Sequence, residues 1–359
     1  MEFYFLQLSF FLMYSFFFYF FRSKEIIKWY LFIAFMHLSL LMGLRSYLVG
    51  TDTQLYMNYF LNQNTSYNSN GALIYNIFSK FIFQLANGNY TIFILLMSAL
   101  SVFFFLASLI KLENDFISVF LSIYIYITYY FYFDSFNMQR QMLAVSIAMY
   151  SVCLFIEGKN IKSVLLLLLA IGIHSTAFLA LINFFLVRVK KNGKYLTLLI
   201  LFMTVILFSY NKILMIFSMF FSHYNMYVNS MNNSSLSAGG GVLFLGSFFI
   251  LISLLSFFMI DIKKDNIFAF TLFSTIMGSI FYIVGRNSQL IIRIANYLLI
   301  FVPVFMPTAI KKISNKFLEK RLVELFGIFI IILIGLVIMY YKLANNFSGV
   351  VPYSTSFKF

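Results

Sequence analysis

The stretch FYFLQLSFFLMYSFFFYFF, residues 3–21, carries no charged side chain. An α-helix of about 20 predominantly apolar residues crosses the roughly 30 Å hydrocarbon core of a bilayer. Comparable runs recur along the chain of 359 residues, of which 62% are hydrophobic and 10% are charged. A water-soluble protein of this length could not bury so much apolar surface. The sequence therefore predicts an all-α polytopic membrane protein, with residues 1–359 forming a single integral membrane domain.

Basic residues cluster in the short segments between the apolar runs and account for the net charge of +14. Lysine-rich loops of multi-pass proteins stay on the cytoplasmic side of the membrane, so we expect no nucleic-acid partner. This rule predicts about ten transmembrane helices, with outer loops at about residues 45–89 and 210–241. The predicted spans are residues 3–21, 27–44, 90–110, 116–133, 142–156, 195–209, 242–260, 267–285, 294–310 and 322–341.

The segment SVLLLLLAIGIHSTAFLALINFFLV, residues 163–187, is flanked by basic sequence on both sides. A single crossing would place the basic residues that follow it outside, and two full crossings need about 40 residues. We therefore predict a re-entrant pair of half-helices with GIHS near its tip, where non-helical backbone needs protein or a wet cavity around it. One long tilted helix followed by an atypical loop is the alternative.

The sequence GLRSYLVGTDTQLY, residues 43–56, places a fixed positive charge and a carboxylate at the predicted outer edge of a span. Lysine dominates the predicted cytoplasmic loops, whereas four of the seven arginines fall on the predicted outer face. The planar guanidinium suits phosphate oxygens, which predicts an anionic substrate bound from that side. Snorkelling to headgroups or pairing with Asp52 and Asp134 is the alternative. The four arginines are Arg45, Arg140, Arg286 and Arg293.

Residue spacing groups further polar side chains with these arginines. In NMQRQ, the residues Asn137, Arg140 and Gln141 have the i, i+3, i+4 spacing of one helical face. That face would lie at the start of a helix, where backbone N–H groups attract phosphate. Helical spacing also predicts a second group, which consists of Arg286, Arg293, Asn296 and Tyr297.

Five motifs occur along the chain in a recognisable order: GLRSYLVGTDTQLY, NMQRQMLAVSIAMYSVCLFIEGK, LLAIGIHSTAF, an arginine at 293 before a tyrosine, and VVPYS. In this order the chain resembles the EpsG-like proteins, the Wzy-type polymerases of bacterial O-antigen, capsule and exopolysaccharide. Members often have an acidic residue before the helix that follows the first outer loop, where this chain reads SNGALIY. This departure leaves Asp52 as the main outer acid of the region.

The resemblance implies a fold similar to the lipid-carrier-dependent, GT-C-like membrane glycosyltransferases. It implies a multi-pass protein of the bacterial inner membrane with its active site facing the periplasm. The implied reaction moves a glycan chain from undecaprenyl pyrophosphate onto a lipid-linked repeat unit, as in O-antigen polymerisation. The implied partners are the undecaprenyl-pyrophosphate-linked oligosaccharide and a chain-length regulator protein in the same membrane. This chemistry needs no cofactor and no metal.

Roles for individual residues follow from this reaction. Pyrophosphate is already a good leaving group, so its departure needs positive charge, which the outer arginines supply. The attacking sugar hydroxyl benefits from a general base, for which His174 and Asp52 are the candidates; a packing role is the alternative for His174. We expect Arg45 to hold a phosphate of one lipid carrier and Asp52 to hold a sugar hydroxyl or orient an arginine. Tyr56, one helical turn further on, would then face the sugar.

Two other classes of function also fit a basic membrane protein. A flippase for lipid-linked oligosaccharide would need basic residues in a cavity, but also two pseudo-repeated halves and charges along its depth. A membrane O-acyltransferase would use a histidine and an acyl donor reached from the cytoplasm. The unusual residues of this chain lie on the predicted outer side, which favours the polymerase.

Overall fold

The fold is all-helical where the computed structural model describes the chain, which is residues 1–21, 23–62, 72–189, 240–285 and 289–356, with single positions at 198, 201, 205, 209 and 212. Arg45 and Thr355 form an isolated antiparallel bridge in these ranges. The prediction of an all-α protein is confirmed. The α-helices are α1 Glu2–Tyr19, α2 Lys24–Gly43, α3 Thr53–Leu61, α4 Leu73–Leu85, α5 Tyr90–Leu112, α6 Phe116–Thr128, α7 Phe131–Asn137, α8 Gln139–Ile156, α9 Asn160–Ile173, α10 Leu181–Arg188, α11 Gly240–Met259, α12 Asn266–Val284, α13 Gln289–Leu299, α14 Val302–Ser314 and α15 Lys320–Ala344.

Six of the described helices are long and apolar enough to cross a membrane, namely α2, α5, α8, α11, α12 and α15. Two bent pairs, α6 with α7 and α13 with α14, raise the number to eight if each pair is one span. These helices coincide with apolar runs of the sequence, so the multi-pass prediction is confirmed. The total of about ten spans stays a prediction, because α1, in the predicted span 3–21, is not among these helices and most of residues 195–209 lies outside the described ranges.

Side-chain caps start several of these helices in the polar loops. Asp115 Oδ1 accepts a hydrogen bond of 3.0 Å from Ser118 N at the start of α6. At the start of α12, Asp265 Oδ1 accepts one of 2.9 Å from Phe268 N. Each cap satisfies one of the backbone N–H groups that the first turn of a helix leaves unpaired. The loop residues thus fix where the apolar helices begin.

The described helices form two compact units. The first contains Met1–Phe178 and Leu325–Phe359, and in it α8 packs against α5 and α9 while α2 packs against α5. In the second unit, Leu179–Glu324, α12 packs against α10, α11, α13 and α14. The single membrane domain predicted over residues 1–359 stays a prediction.

The segment predicted to be re-entrant is interrupted at its histidine. Helix α9 ends at Ile173, and His174 has an extended backbone with φ −146° and ψ 116°. A 3-10 helix, Ser175–Ala180, and then α10 follow. The predicted break at GIHS is confirmed. The re-entrant path itself stays a prediction, because residues 190–197 lie outside the described part of the chain.

The predicted fourth span, residues 116–133, is bent, and the chain that follows it is not the continuous helix that we expected at Asn137 to Gln141. Tyr130 adopts a left-handed conformation with φ 80°, and α6 and α7 meet there at 45°. Helix α7 then ends at Asn137 and α8 begins at Gln139, because Met138 between them has a non-helical ψ of 46°. The prediction that Asn137, Arg140 and Gln141 share one helical face was therefore wrong.

Different loops meet at the two ends of the first unit. At one end Lys111 Nζ lies 2.7 Å from Glu157 Oε1, which joins the end of α5 to the end of α8. The sequence placed both loops on one side of the membrane, and this contact confirms that they share an end. At the other end, hereafter the tail end, the C-terminal tail of residues 345–356 packs on the loop of residues 44–53.

Candidate anion-binding site

The C-terminal tail is hydrogen-bonded to the 44–53 loop and to the first helix. Ser46 N donates to Ser354 O at 2.7 Å. The hydroxyl of Tyr4, a residue that is 1% exposed, donates to Val350 O at 2.7 Å. Buried backbone groups need partners of this kind. The C-terminal tail is therefore held against the 44–53 loop and the first helix, although it is far from both in the sequence. Together these segments form one surface at the tail end.

Arg45 is buried within this surface, with 1% of the residue exposed. Its Nη2 donates to Phe136 O at 2.9 Å, its Nε donates to Val49 O at 3.4 Å, and its Nη1 donates to Met42 O. Burial lowers the pKa of the guanidinium, and charge-assisted bonds to three carbonyls offset the cost of burying the charge. Arg45 thus joins three chain segments here, and its phosphate contact stays a prediction.

Gly50 lets the same loop approach α7 closely. Its φ of 98° favours glycine, and a Cβ added there would lie 2.6 Å from Phe136 O. Asn137 then holds the start of α3, since its Oδ1 accepts from Thr51 Oγ1 at 2.6 Å and from Asp52 N at 2.8 Å. The amide of Asn137 is thereby directed to the loop instead of to the face of α8 that the sequence predicted.

Asp52 and Tyr56 have the relation that the sequence predicted. Tyr56 N donates to Asp52 O at 3.1 Å, so the tyrosine lies one helical turn after the aspartate. Both side chains are half-buried. Helix α3, which carries Tyr56, packs against α4 and α5, and Tyr90 OH of α5 donates to Thr53 O at 3.3 Å. Their predicted contacts with a sugar stay predictions.

Arg140, in the first turn of α8, has a different environment from Arg45. It is half-buried, and its Cζ lies 5.3 Å from the centroid of the Tyr75 ring on α4. A cation over an aromatic face is attracted to it, but the N–H donors still need acceptors. Its Nε and Nη1 are buried and have no hydrogen-bond partner among the residues that the structure describes. Buried donors on a permanent cation that lack acceptors indicate a place for an anion.

Other polar atoms around Arg140 are buried in the same way. Tyr75 is 3% exposed and Gln139 is 4% exposed, and neither Tyr75 OH nor Gln139 Nε2 has a partner within the described ranges. Gln141, a predicted site residue, is 2% exposed. The pKa of the Tyr75 hydroxyl is also affected by the nearby side chains of Tyr90, Tyr56, Arg140 and Tyr59.

His174 lies close to α4 because Gly172 allows a tight contact. A Cβ added at Gly172 would clash with the Cδ1 of Ile74, the residue before Tyr75. The end of α9, which His174 directly follows, thus packs closely on the start of α4. His174 is half-buried, and its Nδ1 shares a hydrogen bond of 2.7 Å with Thr176 Oγ1. When Nδ1 carries the proton, Nε2 has the lone pair that a general base requires.

In the second unit the helical grouping around Arg293 is confirmed for the described residues. Arg293, Asn296 and Tyr297 all lie on α13, with Arg293 half-buried and the other two buried. Arg286 lies outside the described residues. Two polar side chains that the sequence did not single out support the bend after α13: Asn183 Nδ2 donates to Tyr297 O at 2.8 Å, and Ser274 Oγ donates to Leu298 O at 2.9 Å.

Sequence reasoning therefore missed the residues that surround Arg140. Tyr75 lies in an apolar segment that is too short to span a membrane. Gln139 directly precedes Arg140, but it does not belong to the i, i+3, i+4 set from which the site residues of this motif were predicted. A polar residue in an apolar run was the available signal for Tyr75. No group of three or more histidine, cysteine, aspartate or glutamate residues suited to a metal ion occurs in the part of the chain that the structure describes.

Fold and site together define a multi-pass helical membrane protein with a buried arginine and unpaired donors at one end of its first unit. A family model, that of the EpsG family, matches residues 28–355 of the 359, and the chain belongs to this family. Membership indicates a membrane protein of the polysaccharide-polymerase type. Among curated proteins and among solved structures no match to the chain was found.

Proposed function

We propose that the protein polymerises a surface polysaccharide by transferring a glycan chain from undecaprenyl pyrophosphate to a lipid-linked repeat unit. Arg140 binds the pyrophosphate of the donor at the tail end of the first unit. That end faces the periplasm from the bacterial inner membrane. The observation that carries the proposal is that two buried nitrogens of the Arg140 guanidinium, Nε and Nη1, have no acceptor within the described ranges.

The chemistry of the leaving group matches this arrangement. As the bond to the sugar breaks, negative charge grows on the pyrophosphate oxygens. Donors that are already in place stabilise this charge without reorganisation, and removing one such donor typically costs about a hundredfold to a thousandfold in rate. The ring of Tyr75 restricts where the Arg140 guanidinium can move, which keeps its N–H groups preorganised.

In the reaction, the hydroxyl oxygen of the acceptor sugar forms a bond to the anomeric carbon of the donor chain. The bond between that carbon and the pyrophosphate oxygen breaks, and undecaprenyl pyrophosphate leaves with the electron pair. The hydroxyl proton passes to a base. His174 is our candidate for that base, since it directly follows α9, the helix that packs on the α4 helix carrying Tyr75, and Asp52 is the alternative.

The other predicted residues enter as further contacts. Asp52, if it is not the base, binds a sugar hydroxyl, and Tyr56 packs against the sugar. Gln141 and Asn137 are expected to bind the substrate beside Arg140, and Asn137 also holds the start of α3 through Thr51 Oγ1 and Asp52 N. Arg293 is expected to bind a phosphate in the second unit. A chain-length regulator in the same membrane is the expected protein partner.

The experiment compares Arg140→Lys and Arg140→Ala in a strain whose own copy of the gene is deleted, with polymer length read on a gel. Lysine keeps the charge but loses the planar fork, so we expect strongly shortened chains from lysine and almost no polymer from alanine. Arg321, exposed at the start of α15, supplies the matched control, and Arg321→Lys should give wild-type chains. Membrane levels of each variant are measured by immunoblot.

The outcomes separate the proposal from its competitors. A wild-type chain-length distribution from Arg140→Lys at matched levels would overturn the pyrophosphate assignment. The deletion strain itself tests the class of protein. Loss of a polymerase leaves acceptors carrying one repeat unit, loss of a flippase leaves none, and loss of an acyltransferase leaves the polymer length unchanged.

A further inference from the structure

The hydroxyl of Tyr75 is an unused polar group in an otherwise well-packed part of the first unit. The residue is 3% exposed, and its hydroxyl has no hydrogen-bond partner among the described residues. Its ring packs against Phe93, with centroids 5.9 Å apart in an edge-on arrangement. A phenylalanine would make the same ring contacts. Packing therefore accounts for the ring of Tyr75 and leaves its hydroxyl unexplained.

Arg140 does not supply the missing partner. A guanidinium carries donors only, and that of Arg140 lies over the ring of Tyr75, with its Cζ 5.3 Å from the ring centroid. Burial raises the pKa of the Tyr75 hydroxyl well above its ordinary value, so this group keeps a proton to donate, and a guanidinium cannot accept it. Gln139, one residue before Arg140, has a further buried donor without a partner among the described residues, its Nε2. Tyr75 on α4 and Arg140 on α8, which meet at the tyrosine ring, thus both carry buried donors that have no acceptor within the described ranges.

We propose that Tyr75 is a substrate-binding residue, whose hydroxyl donates a hydrogen bond to the same pyrophosphate that Arg140 binds. The inference rests on the proposed function and names a residue that the sequence did not. A pyrophosphate has many acceptor oxygens and no donor, so it satisfies a hydroxyl and a guanidinium at once. Tyr75 would then have two functions, which are to hold the guanidinium through its ring and to bind the anion through its hydroxyl.

This double function predicts an unusual pair of results for Tyr75→Phe, which removes the hydroxyl and keeps the ring. A buried donor without a partner destabilises a protein, and replacing it by an apolar group is neutral or stabilising. The thermal midpoint of purified Tyr75→Phe should therefore equal or exceed that of the wild type. Its inhibition by inorganic pyrophosphate, measured in a polymerisation assay, should weaken about tenfold, the loss expected for one hydrogen bond to a charged group.

The matched control is Tyr340→Phe, because Tyr340 is 58% exposed on α15. This variant should match the wild type in thermal midpoint and in pyrophosphate inhibition. A double variant, Tyr75→Phe with Arg140→Lys, should lose less affinity for pyrophosphate than the product of the two single losses, because residues that bind one ligand together are not independent.

Two results would overturn the inference. If Tyr75→Phe lowers the thermal midpoint, the hydroxyl has a structural partner. If it leaves pyrophosphate inhibition unchanged, the hydroxyl does not touch the anion. In the second case a loss of polymer in Arg140→Lys would leave the proposed function in place, whereas unchanged behaviour of both variants would remove the proposed function as well.

Discussion

Arg45 and Arg140 lie at the same end of the first unit and were predicted from the sequence to share a task, yet their surroundings differ. Arg45 is 1% exposed, and its guanidinium donates to three main-chain carbonyls. That of Arg140 lies over the ring of Tyr75, with two buried nitrogens that have no partner among the described residues. Arg45 uses its donors to join chain segments, whereas Arg140 has donors without acceptors in the described ranges, which we propose to be the donors that bind the pyrophosphate.

The difference shows what separates a structural arginine from a ligand-binding one. Residue type and predicted side of the membrane are the same for both. The distinction lies in whether the protein itself supplies the acceptors, because a buried donor left unpaired costs about 1–3 kcal/mol. A site that accepts this cost in the absence of substrate recovers it when an anion binds.

The largest effect is expected from Arg45→Ala, and it concerns folding. Removing the guanidinium takes a charged donor from each of three carbonyls. Val49 O and Phe136 O still accept from Thr53 Oγ1, but each hydrogen bond to a charged group is worth about 1.5–3 kcal/mol. Their loss is a large share of the typical stability of a domain, about 5–15 kcal/mol. We expect little Arg45→Ala protein in the membrane fraction by immunoblot, whereas Arg140→Ala should accumulate normally. Equal accumulation of the two variants would contradict the comparison.

The next effect in size is expected from His174→Ala. A general base contributes about a hundredfold to ten-thousandfold in rate, so the variant should accumulate normally and yield only single-repeat product. Thr176→Val removes the hydroxyl that shares a hydrogen bond with His174 Nδ1 and should lower the rate less. The readout is the rate of chain extension at saturating substrate. Normal chains from His174→Ala would return the residue to a packing role and leave Asp52, tested as Asp52→Asn, as the base.

The membrane helices could be predicted from the sequence because their signal is local. Runs of about 20 apolar residues fix a spanning helix, and the predicted spans 90–110 and 242–260 match α5 and α11 closely. The break at His174 was also predicted, from loop charge and segment length. The break at Met138 was not, because a helix pattern continues through it in the sequence and the departure depends on how Asn137 contacts the distant residues Thr51 and Asp52.

The candidate site was predicted only in part, for a similar reason. Charge and motif order point to Arg140. They do not show that one acceptor of Arg45 is Phe136 O, 91 positions away, or that the Tyr75 ring lies against the Arg140 guanidinium. Long-range contacts of this kind decide which buried donors are satisfied, and a single sequence does not contain them.

A smaller effect is expected from Arg293→Lys, which extends the comparison to the second unit. Losing one charge-assisted hydrogen bond costs roughly 1.5–3 kcal/mol, or about tenfold to a hundredfold in rate. Chains should be shorter at an unchanged level of protein in the membrane, with Arg321→Lys again as the control. If Arg293→Lys lowers the protein level and leaves chain length unchanged, Arg293 resembles Arg45 and has a structural role.

The smallest effect is expected at the opposite end of the first unit, where charges are paired. Lys111 and Lys159 each lie 2.7 Å from a carboxylate oxygen of Glu157. Lys111, and after it Lys159, holds the pKa of the Glu157 carboxyl below its ordinary value. Partly exposed ion pairs contribute about 0–1 kcal/mol. Glu157→Gln should therefore lower the thermal midpoint of the purified protein only slightly at pH 7 and should not change chain length.

The pH dependence of this small effect has a definite sign. A carboxyl whose pKa is lower in the folded state stabilises the protein fully above its unfolded pKa, about 4.3 for glutamate. That stabilisation is lost as the pH falls through the lower folded value. The difference in midpoint between wild type and Glu157→Gln should stay constant from pH 8 to pH 6 and decline as the pH falls below about 4.3 towards the lower folded pKa. The exposed residue Glu319 gives the control Glu319→Gln, which should show no difference at any of these pH values. A difference in midpoint that changed between pH 8 and pH 6 would mean that another titratable group responds to the substitution. The ion pairs of Glu157 would then not be a purely structural contrast to the unpaired donors of Arg140.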